Sequence, residues 1–168
     1  MRLSAKNVLA LLSCFFCTAL LAQSPPQFSL RDDAQTARAI RDVIARSQHI
    51  PFDKRYADLS SEQKDGLRSL YKDMGPADEP PFPRDGLAPL VRLLQKGQSK
   101  MLVTGPLYLI VDVSAEGEAE AVKAIGSPSP EMTQFAASVM LLTKYKPALC
   151  AGTPCKQQYP FALQFDVR

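Results

Sequence analysis

The sequence predicts an α+β protein: a small antiparallel sheet with one packed helix, preceded by a helical segment. Three observations lead there. Apolar residues recur at helical spacing over residues 30–97. They alternate with period two from Leu107 to Val113 and again from Phe161 to Val167. Between those stretches lies one run of helical period, opened by Ser129-Pro130. Strand, strand, helix, clipped turn and strand, in that order, make most economically a helix laid on an antiparallel sheet.

The chain opens with the pattern of an export signal. Arg2 and Lys6 precede an apolar run from Val8 to Ala22, interrupted by Ser13 and Thr18 and followed by Gln23, Ser24 and two prolines. A basic start, an apolar core and a small-residue end describe a secretory signal peptide over residues 1–22, with cleavage expected after Ala22. The apolar run is about fifteen residues, short of the roughly twenty that span a bilayer. Two competing readings are an uncleaved membrane anchor and a lipoprotein signal ending at Cys14. Cleavage would remove two of the 20 basic side chains and none of the 17 acidic ones, leaving a net charge near +1. That balance offers no clustered basic face, so nucleic acid is not an expected partner. About 146 residues remain, enough for one domain with its own core.

The helical region is expected over residues 23–104. In "DDAQTARAIRDVIARS", Ala37, Ile40, Val43 and Ile44 share a face, and Asp32 and Asp33 sit where a helix dipole favours acids. In "LSSEQKDGLRSLYKDMGP", Leu67, Leu70, Tyr71 and Met74 fall at i, i+3, i+4 and i+7. Ser60 with Gln63 forms a capping box there, and Gly75-Pro76 is the expected stop. "ADEPPFPRD" reads as a rigid loop. Leu87, Leu90, Val91 and Leu94 then make a third stripe that ends at Gly97.

From residue 105 the period changes. Leu107, Leu109, Val111 and Val113 take one face of a strand, and Tyr108, Ile110 and Asp112 the other. A second, weaker strand follows a turn near Glu116-Gly117, rich in alanine and glutamate. In the helix after Ser129, Met132, Phe135, Val139 and Leu142 form the expected buried stripe, and Pro147 bars continuation. The closing strand sets Phe161, Leu163, Phe165 and Val167 against Ala162, Gln164, Asp166 and Arg168.

Cysteine usage fits an oxidising compartment. Cys14 and Cys17 would leave with the signal, and Cys150 and Cys155 remain on either side of Ala-Gly-Thr-Pro. A local disulfide is the simplest reading, with Gly152 free to take a positive φ and Pro154 stiffening the return. So short a loop stabilises by only about 2 kcal/mol. A redox-active pair is the alternative, although the spacing is not C-x-x-C. Zinc is not expected: the only histidine, His49, is far upstream.

The second half, 105–168, resembles the C-terminal domain of TonB, the energy transducer of Gram-negative envelopes. Val111-Asp112-Val113 with Glu116-Gly117 is similar to the family's first hairpin. Ser127 stands where the family has a serine before its helix, and Ala136-Ala137 falls mid-helix as it does there. Tyr145-Lys146-Pro147-Ala148, Gly152-Thr153-Pro154 and Tyr159-Pro160-Phe161-Ala162-Leu163-Gln164-Phe165 resemble its aromatic-x-Pro-Ala, its turn and its closing strand. Ser127-Pro128-Ser129-Pro130, Thr133-Gln134 and the two cysteines depart from the family, and a long Pro-rich spacer is missing. The resemblance implies a periplasmic protein that binds an extended protein segment, such as one from an outer-membrane receptor.

Strand chemistry points to the same mode. An edge strand presents unpaired N–H and C=O groups and accepts an extended peptide by strand addition. The expected partner-binding residues are those of the closing strand, Gln158, Tyr159, Phe161, Leu163 and Phe165, with Lys156 and Gln157 before them. A homodimer formed by domain swapping is a second partner that so small a sheet would suit, and a membrane is one only if the N-terminus stays uncleaved.

No catalytic motif and no phosphate-binding glycine loop occurs, so neither enzyme activity nor a cofactor is expected. Glu116, Glu118 and Glu120 cluster by a turn and read as a solvated face. Two rival functions stand beside the binding protein: a transducer anchored by an uncleaved N-terminus, and a secreted hydrolase with an unfamiliar site.

Overall fold

The computed structural model describes Ser29–Leu30 and residues 50–166. The expected signal peptide, the helix expected over residues 32–47, His49, Val167 and Arg168 lie outside the described residues. In chain order the elements are β1 (Ser29–Leu30), a 3-10 turn (Tyr56–Asp58), α1 (Ser61–Arg68), β2 (Tyr71–Lys72), β3 (Phe82–Pro83) and α2 (Ala88–Met101). There follow β4 (Gly105–Val113), β5 (Ala119–Gly126), α3 (Pro130–Leu142), β6 (Tyr145–Lys146), β7 (Ala148–Cys150), β8 (Thr153–Cys155) and β9 (Gln157–Phe165).

The expected α+β class holds. The main sheet is antiparallel, in the order β5-β4-β9. The period-two pattern of β4 does what it predicts. Leu107, Leu109, Val111 and Val113 are fully buried on one face, in a core shared with Leu90, Val91 and Leu94 of α2 and Met132, Ala136 and Met140 of α3. Burying one such leucine contributes about 1.5–3 kcal/mol. Tyr108 and Ile110 face the other way, into a second cluster with Leu70, Tyr71 and Ala148. Both faces of the sheet are therefore covered, one by two helices and one by β2 and the β7–β8 hairpin.

That two-sided cover corrects the helix expected through Met74. Its N-terminus is as read: Ser60 Oγ accepts from Gln63 N–H and Gln63 Oε1 accepts from Ser60 N–H. The helix stops at Arg68, and Tyr71–Lys72 pair with β1. Leu67 belongs to the helix-side core, whereas Leu70 and Tyr71 belong to the opposite cluster. A straight helix presents one stripe and cannot serve both sides of a sheet. The proposed rigid loop likewise contains β3, which pairs with β6.

Two further expectations shift. Gly97 does not end its helix; α2 continues to Met101 and Leu102 caps it at φ 54°. Gly97 instead admits the ring of Phe135, and this is where the two helices lock together. In α3 the buried positions are Met132, Ala136, Val139 and Met140, while Leu142 is 83% exposed. Phe135 turns toward α2, so the stripe follows i, i+4, i+7, i+8 instead. The N-terminus of α3 is as expected, with Ser129 Oγ accepting from Met132 N–H and Pro130 at the first position.

Two helical glycines should respond to alanine with opposite signs. Gly66 of α1 has nothing within 4 Å of a built Cβ, so Gly66→Ala should stabilise by about 0.5–1 kcal/mol through helix propensity alone. At Gly97 the same Cβ would lie 2.4 Å from Phe135 Cε1. Overpacking outweighs propensity there, and Gly97→Ala should cost about 1–3 kcal/mol. Urea denaturation of the two variants measures both.

Candidate functional site

β9 pairs with β4 on one side and, among the described residues, with no strand on the other. The free side has a definite phase. In an antiparallel ladder, alternate residues aim both peptide groups at the partner or both away from it. Pro160 lies opposite Ile110 and Gln164 opposite Pro106, four positions apart and so in the same phase. Neither proline has an N–H to give, which suits the phase that makes no bonds between β4 and β9. Gln158 shares this phase, and its C=O accepts a hydrogen bond from Tyr71 Oη at 2.7 Å, from outside the sheet. The outward groups are thus those of Gln158, Pro160, Ala162 and Gln164.

Both ends of this edge are closed. Gln158 N–H donates to Gln157 Oε1 at 2.9 Å, and its C=O is held by Tyr71. At the far end, Gln98 Nε2 of α2 donates to the Asp166 C=O at 2.9 Å. Among the described residues, what stays open is short: the C=O of Pro160 and both groups of Ala162 and Gln164. β1 passes alongside β9 but does not pair with it.

This window faces a groove of about 190 Å³. One side is β9 from Tyr159 to Gln164, together with Asp166. The other is apolar, built by Ile50, Phe52, Leu67, Leu70, Leu87 and Val91, with Phe82 beneath. Phe52 is 46% exposed, an unusual state for a phenylalanine and consistent with its place at the groove mouth. Ala88 N–H donates to the Phe52 C=O and thereby fixes the 50–52 segment against the start of α2.

The residues expected to bind a partner divide by this geometry. Tyr159, Phe161 and Phe165 are 4%, 4% and 2% exposed, and their side chains belong to the core. Leu163 is half-buried beside them, and Gln158 is exposed, with Nε2 donating to Asp112 Oδ1. Their strand is an edge, but the open backbone groups sit on the alternate residues Pro160, Ala162 and Gln164. The expected strand was read from 160; it begins at Gln157. The groove's far wall escaped sequence reasoning because its residues come from three separate segments.

Cys150 and Cys155 are disulfide-bonded, as expected, across the β7–β8 hairpin. The turn between them holds Ala151 at φ 49° and Gly152 at φ 82°. Glycine adopts that region freely, while alanine does so at a cost of about 1–2 kcal/mol. Asp78, 3% exposed, offsets this by accepting from Ala151 N–H at 2.6 Å and from Gly75 N–H at 2.7 Å.

Several other titratable groups are engaged in structural contacts. Glu118 pairs with Lys144 and Glu120 with Lys156, on the surface. Lys146 sits over the Tyr56 ring and pairs with Glu79 at 2.9 Å. Burial lowers its pKa, and Glu79 opposes that shift. Burial pushes Tyr56 up to about 12 and Tyr71 and Tyr159 well above the ordinary tyrosine value, so all three hydroxyls stay protonated at neutral pH. No group of three His, Cys, Asp or Glu side chains gathers among the described residues.

No family model, curated protein or solved structure matches this chain.

Tyr71 closes one end of the window with a fully buried hydroxyl. Tyr71→Phe should cost about 1–2 kcal/mol, because it leaves the Gln158 carbonyl without that donor. The urea midpoint of the variant measures the loss, with a far-UV spectrum unchanged from the parent.

Proposed function

We propose that the protein is an exported, periplasmic binding protein that acts without catalysis and takes an extended protein segment onto the free edge of β9 by strand addition. One observation carries this reading: the unpaired backbone window at Pro160, Ala162 and Gln164 opens into an apolar groove. Backbone groups supply affinity in this mode, and pockets for alternate side chains supply selectivity. The resemblance of residues 105–168 to the TonB C-terminal domain supports a segment of an outer-membrane transporter as the partner. The apolar run from Val8 to Ala22 after two basic residues supports export.

The magnitudes describe a weak, reversible binder. Five backbone hydrogen bonds at roughly 0.5–1.5 kcal/mol each are the most the window offers. One or two apolar side chains in the groove add about 1.5–3 kcal/mol apiece. Loss of free motion opposes them by at least about 4 kcal/mol, which leaves affinity in the micromolar range or weaker.

The test is selection of a phage-displayed random heptapeptide library on the full chain. Sequences alternating apolar and polar residues should be enriched. Ala162→Pro removes one outward N–H and leaves the β4 ladder intact, a change that edge strands tolerate. It should weaken binding of the enriched peptides by roughly tenfold with little change in stability. Enrichment without alternation, or full binding to Ala162→Pro, would sink the proposal.

A further inference from the structure

We infer that the Cys150–Cys155 disulfide is a redox latch on the apolar wall of the β9 groove, with Asp78 as the positioning residue between them. The inference rests on reading that groove as a peptide site, and it adds a control that the reading does not contain.

A continuous set of contacts links the two places. The β7–β8 hairpin grips the loop over residues 77–79 by main chain: Glu79 and Leu149 exchange N–H···O=C bonds at 2.9 Å, and Gly152 N–H donates to the Ala77 C=O at 3.2 Å. Ala151 N–H donates to Asp78 Oδ1, and Asp78 Oδ2 accepts from Gly75 N–H. The loop in turn anchors α1. Arg68 donates through Nη2 to the Gly75 C=O at 2.8 Å and through Nη1 to the Asp78 C=O. Arg68 is the last residue of α1, between Leu67 and Leu70, and both leucines line the groove.

The latch works because the hairpin tip holds a conformation its sequence disfavours. Ala151 lies in the left-handed region without being glycine, and it must stay there to aim its N–H at Asp78. The disulfide closes the hairpin around that residue. The two cysteines are half-buried, packed on one side against the Tyr71 and Tyr108 cluster and flanked on the other by an exposed tip. A dithiol reduces the bond by two electrons: the S–S bond breaks, two protein thiols form, and the dithiol leaves as its own disulfide. Ala151 then relaxes, and the buried Asp78 loses one of its two backbone donors. The loop over 75–79 loosens, and the carbonyls that hold Arg68 are no longer fixed. The wall carrying Leu67 and Leu70 loses its anchor, while none of these hydrogen bonds involves β4 or β9, which the hairpin meets only through the packing of Tyr108, Ile110 and Ala162.

Amide hydrogen exchange on the full chain, with and without tris(2-carboxyethyl)phosphine, tests the latch without any ligand. Reduction should speed exchange by about tenfold or more over residues 67–79 as well as 148–155, and leave Val111 and Phe161 unchanged. Oxidised Asp78→Asn, which accepts one N–H where the carboxylate accepts two, should show the same acceleration over 67–79. The heptapeptide enriched on the oxidised chain should bind the reduced chain roughly fivefold or more weakly. Acceleration confined to 148–155, or a uniform rise that includes Val111 and Phe161, overturns the latch. Coupled acceleration over 67–79 in a chain that enriches no alternating peptide upholds the latch and overturns the peptide reading, so the two fail separately.

Discussion

The register between β4 and β9 is the constraint on which the rest of the molecule depends. Nine consecutive pairs set Phe161 against Leu109 and Pro160 against Ile110. A slip of one residue would carry Tyr159, Phe161 and Phe165 from the helix-side core to the opposite face, and Ala162 and Gln164 into their places. The same slip would turn Pro160 toward β4, where its missing N–H would leave the ladder short of a bond. Core and edge are therefore not independent features. The odd-numbered residues of β9 build the interior, and the even-numbered ones supply the backbone groups left over.

The helix-side core ties the rest of the chain to that register. Its members run from Ile50 and Tyr56 through Leu94 to Met140 and Phe165, so the segments before and after residue 104 share one interior. Phe82, on the short strand β3, stacks edge-on to Tyr159 with ring centroids 6.2 Å apart. The groove exists because this packing stops short of the β9 edge. α1 and the 50–52 segment approach β9 through side chains, and among the described residues no main-chain bond joins them to it.

Much of the fold was legible in the sequence where a single neighbour decides the outcome. Period two in β4, the Ser60–Gln63 box, the Ser129-Pro130 start and the cysteine pair are all local patterns, and each appears as read; in β9 the period holds from Phe161 to Phe165 within a strand that begins at Gln157. Errors arose where two neighbours compete for one segment. Leu67, Leu70, Tyr71 and Met74 fit a helical stripe, yet the sheet has two faces to cover and the segment is divided between them. Gly97 is a plausible helix stop by composition, but the ring of Phe135 needs the space that glycine leaves. The site was legible only in part for the same reason. The pattern shows that the closing stretch is a strand, but whether it lies at an edge or inside the sheet is decided only by its pairing with β4. Which of its residues point outward depends on the pairing phase, and the groove wall depends on three segments meeting.

The two edges of the main sheet argue against reading an open strand as an accident. β5 is the other edge, and it carries exposed Glu120 and Lys123, with Glu120 held in an ion pair by Lys156. Charges along an edge are a common means of discouraging pairing with another chain. β9, from Gln157 to Phe165, has no charged residue. It is guarded differently: Tyr71 and Gln157 close one end, Gln98 closes the other, and Pro160 withholds a donor between them. Devices of this kind shorten an edge without abolishing it. A long flat edge would pair with many extended chains, including other copies of itself. A window of about three residues with an apolar wall beside it rewards only a segment whose side chains fit that wall. On the proposed function, the contacts that protect β9 would also supply its selectivity, which is why the groove is the candidate site and the β5 edge is not.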